Sequence, residues 1–329
     1  MSSTGTAPYI DHASLVAFAG SRVNLPKAEV DSHRAQLQRL RDHLQRVIDE
    51  HEHYVLIKTV RSGSVAKGTA LKSISDMDLA AYLDASQVPA GSESKLIAEL
   101  ATILRSAYGG TKAAEDFEEQ AHSVKVHFRG SGLDVDVAPV VYAGLPDDRG
   151  DLITKNGDKV ETSVRLHLEF IRRRKALHGK EFAQVIRFLK FWAREQKRTR
   201  GDQFRCKSFL LELVVSHLAG VIAFTDYTAA LESVFAWMVQ TDLADRVWFD
   251  DYYASGDLPS SSNDAMQIYD PVNPTNNICR TYTATDRHLL VEAAADALDA
   301  ITAARYGTTR AYSTDCWKRV FGPTFRGDQ

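Results

Sequence analysis

Cysteine is scarce in this chain. Only Cys206, Cys279 and Cys316 occur among 329 residues, widely spaced and odd in number. That excludes a disulfide-built scaffold, argues against a cysteine zinc site and fits a reducing compartment. There is also no run of about 18 apolar residues, so no helix is expected to span a bilayer. Met1-Ser2-Ser3-Thr4-Gly5 does not read as a basic segment followed by an apolar one. No secretory signal is expected there, and the expected location is cytoplasmic. Net charge is nearly absent too: 40 Lys and Arg oppose 43 Asp and Glu, a balance of −3. Such a total argues against a phosphate-rich partner only if the charge is evenly spread.

It is not evenly spread. Residues 165–207 hold 14 Lys and Arg against four acids, a net +10 that leaves −13 for the rest. A run of this kind is commonly a solvated face. It could also focus an anionic substrate, bind duplex nucleic acid or meet a protein partner. With 44% hydrophobic and 25% charged residues the composition is that of a folded globular protein, long enough for one large bilobal domain or two linked ones.

Periodicity divides the chain. Pro26 suits the first turn of a helix, and Leu37, Leu40, Leu44, Val47 and Ile48 continue it at three-to-four spacing. Residues 54–60 and 76–83 read as buried strands, with a helix over 94–107 between later elements. Residues 122–128 and 133–141 alternate as a strand pair around the turn 129–132, and 152–163 reads as a hairpin tipped by Asn156-Gly157. Residues 1–22 show no strong periodicity. After Thr162 helical patterns dominate, over 164–178, 181–197, 207–221, 227–240 and 286–305. The expected division is 1–163, a spine helix with a mixed α/β lobe, and 164–329, a helical lobe, with a cleft between them. The expected class is α+β.

Three motifs carry chemistry. Gly63-Ser64 lies at a strand-to-helix turn, where glycine allows close approach of backbone to phosphate; alone, such a pair is usually just a turn. Asp76 and Asp78 are two apart on a strand and so share a face. Paired hard oxygens suit Mg²⁺, which takes few carboxylates plus substrate phosphates. Asp134 and Asp136 repeat that spacing within an otherwise apolar strand, where a carboxylate is costly unless paired or coordinated.

Together these motifs resemble the metal-binding triad of the polymerase-β-like nucleotidyltransferases. The run from Gly63 to Leu79, with Lys67-Gly68-Thr69 and Ser75-Asp76-Met77-Asp78-Leu79, is similar to the signature of 2′-5′ oligoadenylate synthetases. It is similar also to that of the bacterial cGAS/DncV-like nucleotidyltransferases. Asp136-Val137-Ala138-Pro139 resembles the strand of the third aspartate, making Asp136 the first choice and Asp134 the second. Arg187 to Trp192 resembles the helix whose lysine, here Lys190, contacts the donor triphosphate. Lys207-Ser208-Phe209 resembles a helix start where the serine holds phosphate and the aromatic stacks on a base. Tyr269 to Asn277 is similar to an Asp-Pro-x-x-Pro-Thr-x-Asn segment.

Each of the later matches has a plainer reading. Lys190 could be a solvated helix position, Ser208 a helix N-cap, Phe209 a core residue, and Asp270, Asn276 and Asn277 turn formers.

The resemblance implies a bilobal nucleotidyltransferase core, a helical lobe and a spine helix joining them. It implies catalysis by two Mg²⁺ ions, with Mn²⁺ a substitute, held by Asp76, Asp78 and Asp136. Gly63, Ser64, Lys67, Thr69, Lys190, Ser208 and Phe209 would bind nucleotide. The implied product is a cyclic di- or trinucleotide second messenger made from ATP or GTP, in bacterial anti-phage (CBASS) signalling. The implied partners are a separate effector that responds to the product and an RNA or protein regulator; no membrane is involved. Alternatives are a linear 2′-5′ oligoadenylate synthetase, a transferase acting on RNA or protein, and a catalytically dead nucleotide- or RNA-binding protein.

Overall fold

The computed structural model describes residues 8–72, 76–260 and 262–327. Ser73, Ile74 and Ser75, part of the run quoted above, lie outside the described residues. The elements follow in this order: α1 (His12–Phe18), α2 (Lys27–Asp49), β1 (Leu56–Ser62), α3 (Gly63–Lys67), β2 (Asp76–Asp84), α4 (Leu96–Ala107), β3 (Phe117–Glu119), β4 (Val124–Phe128), β5 (Leu133–Tyr142), β6 (Gly150–Ile153), β7 (Lys159–Thr162), α5 (Val164–Arg200), α6 (Ser208–His217), α7 (Tyr227–Gln240), α8 (Ala284–Arg305) and α9 (Arg310–Phe321). The α+β class follows. No described helix is long and apolar enough to cross a membrane.

The chain falls into two compact units, Leu25–Ile171 and Met1–Asn24 with Arg172–Gln329. This differs from the expected division in two places, each with a physical reason. The first residues of α5 stay with the sheet because the Val164 amide donates to the Tyr82 hydroxyl, 3.2 Å away. The N-terminal stretch joins the helical unit through Phe18. Its ring lies 5.4 Å from Phe191, 5.1 Å from Phe321 and 4.9 Å from Phe325, centre to centre.

In the sheet unit the strands run in the order β1-β2-β5-β4-β3, with β6 paired to β5 and β7 to β6. β2 and β5 are parallel, whereas β1 is antiparallel to β2 and β4 antiparallel to β5. Side chains on a strand alternate faces. Met77 and Leu79 of β2 and Leu133, Val135 and Val137 of β5 therefore turn one way. There they meet Leu37, Leu40, Leu44 and Ile48 of α2 and Leu100 and Leu104 of α4 in one buried cluster. Burying such side chains contributes roughly 1.5–3 kcal/mol each. Asp76, Asp78, Asp134 and Asp136 necessarily turn the other way.

In the helical unit α5 is interrupted at Gly179 (φ 78°, ψ −176°), which divides it near the expected place between 178 and 181. Helices α1 and α9 and strand β3 have no counterpart among the expected elements. α9 is capped by Thr309, whose side chain accepts from the Tyr312 amide, and it turns Trp317, Val320 and Phe321 inward.

Candidate active site

The parallel register of β2 and β5 sets Asp76 level with Asp134 and Asp78 level with Asp136. Four carboxylates thus form a two-by-two block on the face away from α2 and α4. Antiparallel β1 ends opposite it, with Ser62 level with Asp78, so the turn into α3 begins beside the block. Gly63 opens that turn at φ +68°. A Cβ built on Gly63 would stand 1.6 Å from Asp78 Oδ2. Glycine is required there twice over, for its backbone angle and for the space.

Strand β4 supplies what the sequence reading missed. Its register places Lys125 opposite Asp136 and His127 opposite Asp134. The Lys125 ammonium lies 3.6 Å from Asp76, 4.0 Å from Asp134 and 3.9 Å from Asp136. Burial pulls this ammonium down, but Asp136, Asp76 and Asp134 outweigh it and hold Lys125 above its ordinary range. His127 Nδ1 is 2.8 Å from Asp134 Oδ1. Asp134 thus has a near partner in the imidazole. Asp136 Oδ1, by contrast, is buried with no hydrogen-bond partner. Burial pushes the Asp136 carboxyl up, Lys125 pulls it back, and Asp78, Asp76 and Asp134 push it further, to about 6. This difference favours Asp136 over Asp134 as the third ligand. Counting back from the turn at 129–132 would have paired 125 with 136.

The arrangement fits a divalent cation. The donors are hard oxygens, one is without a hydrogen-bond partner, and Gly63 makes room for the Asp78 carboxylate itself. As they stand, no three His, Cys, Asp or Glu side chains among the described residues close around one point. The cation now among them is Lys125.

The remaining expected residues fall in varied settings. Ser64 and Lys67 lie half-buried in α3, while Thr69 is fully buried and its amide donates to the Ser64 carbonyl at 2.9 Å. Lys190 is also buried, and its ammonium lies 2.6 Å from Glu212, both side chains being 3% exposed. It is not the solvated helix position that its charge alone suggests. Ser208 is exposed as the first residue of α6, and Lys207, not Ser208, is the N-cap. Phe209 is half-buried. Asp270, Asn276 and Asn277 hold their own loop. Asp270 accepts from the Val272 amide, and Asn277 Oδ1 accepts from the Ile268 and Cys279 amides.

Paired carboxylates on adjoining parallel strands beside a glycine turn are the equipment of a nucleotidyltransferase, and the fold agrees. The cyclic AMP-GMP synthase DncV of Vibrio cholerae matches with a TM-score of 0.73 over 98% of each chain, at 10% identity. That likeness is one of fold alone. Sequence goes further: the Second Messenger Oligonucleotide or Dinucleotide Synthetase domain matches residues 12–147. A cyclic AMP-AMP-AMP synthase of Escherichia coli (strain MS 115-1) is 43% identical over 321 residues, 97% of this chain and 99% of the relative. Structures of E. coli MS115-1 CdnC, one with ATP and one in a complex with HORMA-deltaN, each match at a TM-score of 0.86. Each is 42% identical and covers 97% of this chain and 99% of that one. The chain belongs to the family of second messenger oligonucleotide or dinucleotide synthetases. It is a nucleotidyltransferase that makes cyclic oligonucleotides, and enzymes of this family typically use divalent metal ions.

Proposed function

We propose that this synthetase joins three AMP units from ATP into a ring, using two Mg²⁺ ions held by Asp76, Asp78 and Asp136. The observation that carries this reading is the register of β2 on β5, which brings those carboxylates level beside Gly63. The adenylate product is supported by the 43% identical cyclic AMP-AMP-AMP synthase, alike over 97% of the chain. When bound, the ions would lower the pKa of the acceptor hydroxyl and take up charge on the departing pyrophosphate.

The chain's own residues do the rest. Asp76 and Asp78 would hold metal together with Asp136, and Gly63 lets backbone and phosphate approach. Ser64 adds a hydroxyl to the phosphates. Asp136, level with Asp78 on the adjoining strand, would assist removal of the proton from the attacking hydroxyl. Each round forms one phosphodiester bond and breaks the bond between the α- and β-phosphates. Lys190, Ser208 and Phe209 are assigned to the triphosphate and base on the resemblance. For Lys190 this requires exchange of Glu212 for phosphate. The solved CdnC complex with HORMA-deltaN supports a HORMA-type protein as regulator. A separate effector, in anti-phage signalling in the cytoplasm, would read the product.

Incubation with Mg²⁺ and each NTP, alone and mixed, followed by mass spectrometry tests this. A phosphatase-resistant cyclic triadenylate is expected from ATP, alone or with the HORMA-type partner. It should vanish in Asp76→Ala/Asp78→Ala. A linear product, a labelled macromolecule, or product unchanged in the double variant overturns the reading.

A further inference from the structure

We infer that Lys125 is a positioning residue that couples metal loading to the nucleotide. Its ammonium competes with a free divalent ion for the carboxylates and gives way to an ion that arrives on a triphosphate. This deepens the proposed function and rests on the reading of Asp76, Asp78 and Asp136 as metal ligands.

Val124 and Val126, the neighbours of Lys125 on β4, are fully buried in the cluster with α2 and α4. Alternation therefore turns Lys125 to the carboxylate face. There it is level with Asp136 of β5 on one side and Glu118 of β3 on the other. The ammonium lies 3.6 Å from Asp76, 3.9 Å from Asp136 and 4.0 Å from Asp134. All three separations exceed the roughly 2.7–3.2 Å of an N–H···O hydrogen bond. Committed lysines of this chain sit closer: Lys58 is 2.6 Å from Asp148 and Lys190 is 2.6 Å from Glu212. Among the described residues, Lys125 is thus held by the summed charge of several carboxylates and by no one close pair. Asp134 has another partner in His127, at 2.8 Å. Asp76 and Asp136 are what the ammonium and a metal ion contend for.

An ammonium and a divalent ion about 4 Å apart repel, so a bare ion must first displace Lys125. The carboxylate on the far side of Lys125 is Glu118, whose side chain is 59% exposed and already faces His127 at 3.6 Å. An exposed pair of that kind stabilises little. An ion carried by a triphosphate brings a better replacement with it. Mg²⁺ takes one or two carboxylates together with substrate phosphates, and phosphate oxygens accept strong hydrogen bonds from an ammonium. Lysine suits such an exchange, being a compact charge with rotatable donors on a flexible stem.

The test is calorimetric titration of the full chain with MnCl₂ alone, and with α,β-methylene-ATP in excess Mn²⁺. Lys125→Met and Lys125→Gln should each bind free Mn²⁺ at least about tenfold tighter than the unmodified chain, and Lys125→Arg should not. Two neutral replacements are used so that a folding defect in one leaves the other readable. For the analogue in excess Mn²⁺, neither neutral variant should bind tighter than the unmodified chain, because the lost phosphate partner offsets the lost competitor. The inference is overturned if both neutral variants bind free Mn²⁺ no tighter, which would make Lys125 a mere support of the carboxylates. It is overturned equally if they bind the ion and the analogue tighter to the same extent, since the ammonium would then only repel. Asp76→Asn/Asp78→Asn separates the two readings. Undiminished Mn²⁺ binding in that variant would sink the assignment of the ligands, and the role of Lys125 with it; diminished binding there leaves the Lys125 variants to decide the inference alone.

Discussion

Gly63 and Asp78 share a space that admits only one side chain. A methyl group at position 63 would have to displace the Asp78 carboxylate and would also sit on a left-handed backbone at φ +68°. Gly63→Ala is therefore expected to cut product formation by about a hundredfold or more, the scale of a misplacement of order 1 Å. The far-ultraviolet circular dichroism should change little. Lys125 invites a second prediction. In the metal-free protein it is the cation shared by Asp76, Asp134 and Asp136. Lys125→Met should lower the melting temperature more in EDTA than in saturating Mg²⁺, and Lys125→Arg should largely restore it. Equal losses in both conditions would mean that Lys125 only packs. Asp136 sets a third. Its folded-state pKa is raised from 3.8 to about 6, so its contribution to metal-free stability is full below about 4 and is lost as pH rises through about 6. Chemical denaturation in EDTA should show that decline, and Asp136→Asn should flatten it. Metal binding needs the ionised form, so apparent Mg²⁺ affinity should rise with pH up to about 6 and then level. The aspartates were legible because a period of two is visible along one strand. Lys125 and His127 were less so, because their placement depends on pairing between strands.

At the scale of elements, the sheet and its two packed helices were readable because hydrophobic spacing encodes them locally. Helices α1 and α9 escaped. Their inward faces hold Leu15 and Phe18 in one and Trp317, Val320 and Phe321 in the other, too few over short spans to stand out as a period. What defines both is long-range: Phe18 meets rings from 188 to 325. The same fact explains why residues before Asn24 group with the helical unit and not with the strands that follow them. Phe18→Ala is expected to cost about 3–5 kcal/mol, the usual range for emptying a buried phenylalanine site. Thermal and denaturant unfolding measure it, and a loss under about 1 kcal/mol would mean that α1 is dispensable to the unit.

For the whole molecule the near-neutral total of −3 conceals a basic segment of +10, and the structure shows where much of that charge goes. Arg165 pairs with Asp147, and Arg174 takes Asp251 at 2.7 Å. Lys190 takes Glu212 at 2.6 Å, Arg198 takes Glu195 at 2.9 Å, and Arg200 takes Asp296 at 2.9 Å and Glu292 at 3.3 Å. Most of these acids lie outside residues 165–207, so the −13 remainder is in part the counter-charge of the +10 run. A duplex would have to compete with those carboxylates for the arginines. Non-specific binding that neutralises Z phosphates gives a slope near −0.9Z in log K against log salt for B-DNA. With these five of the fourteen cations engaged, a 20-base-pair duplex is expected to bind with a slope of no more than about 3 and a dissociation constant weaker than about 10⁻⁵ M at about 0.15 M salt. Fluorescence anisotropy across a salt series measures both quantities. A slope of about 6 or more would mean that the arginines exchange carboxylate for phosphate, and the basic segment would then be a nucleic-acid surface.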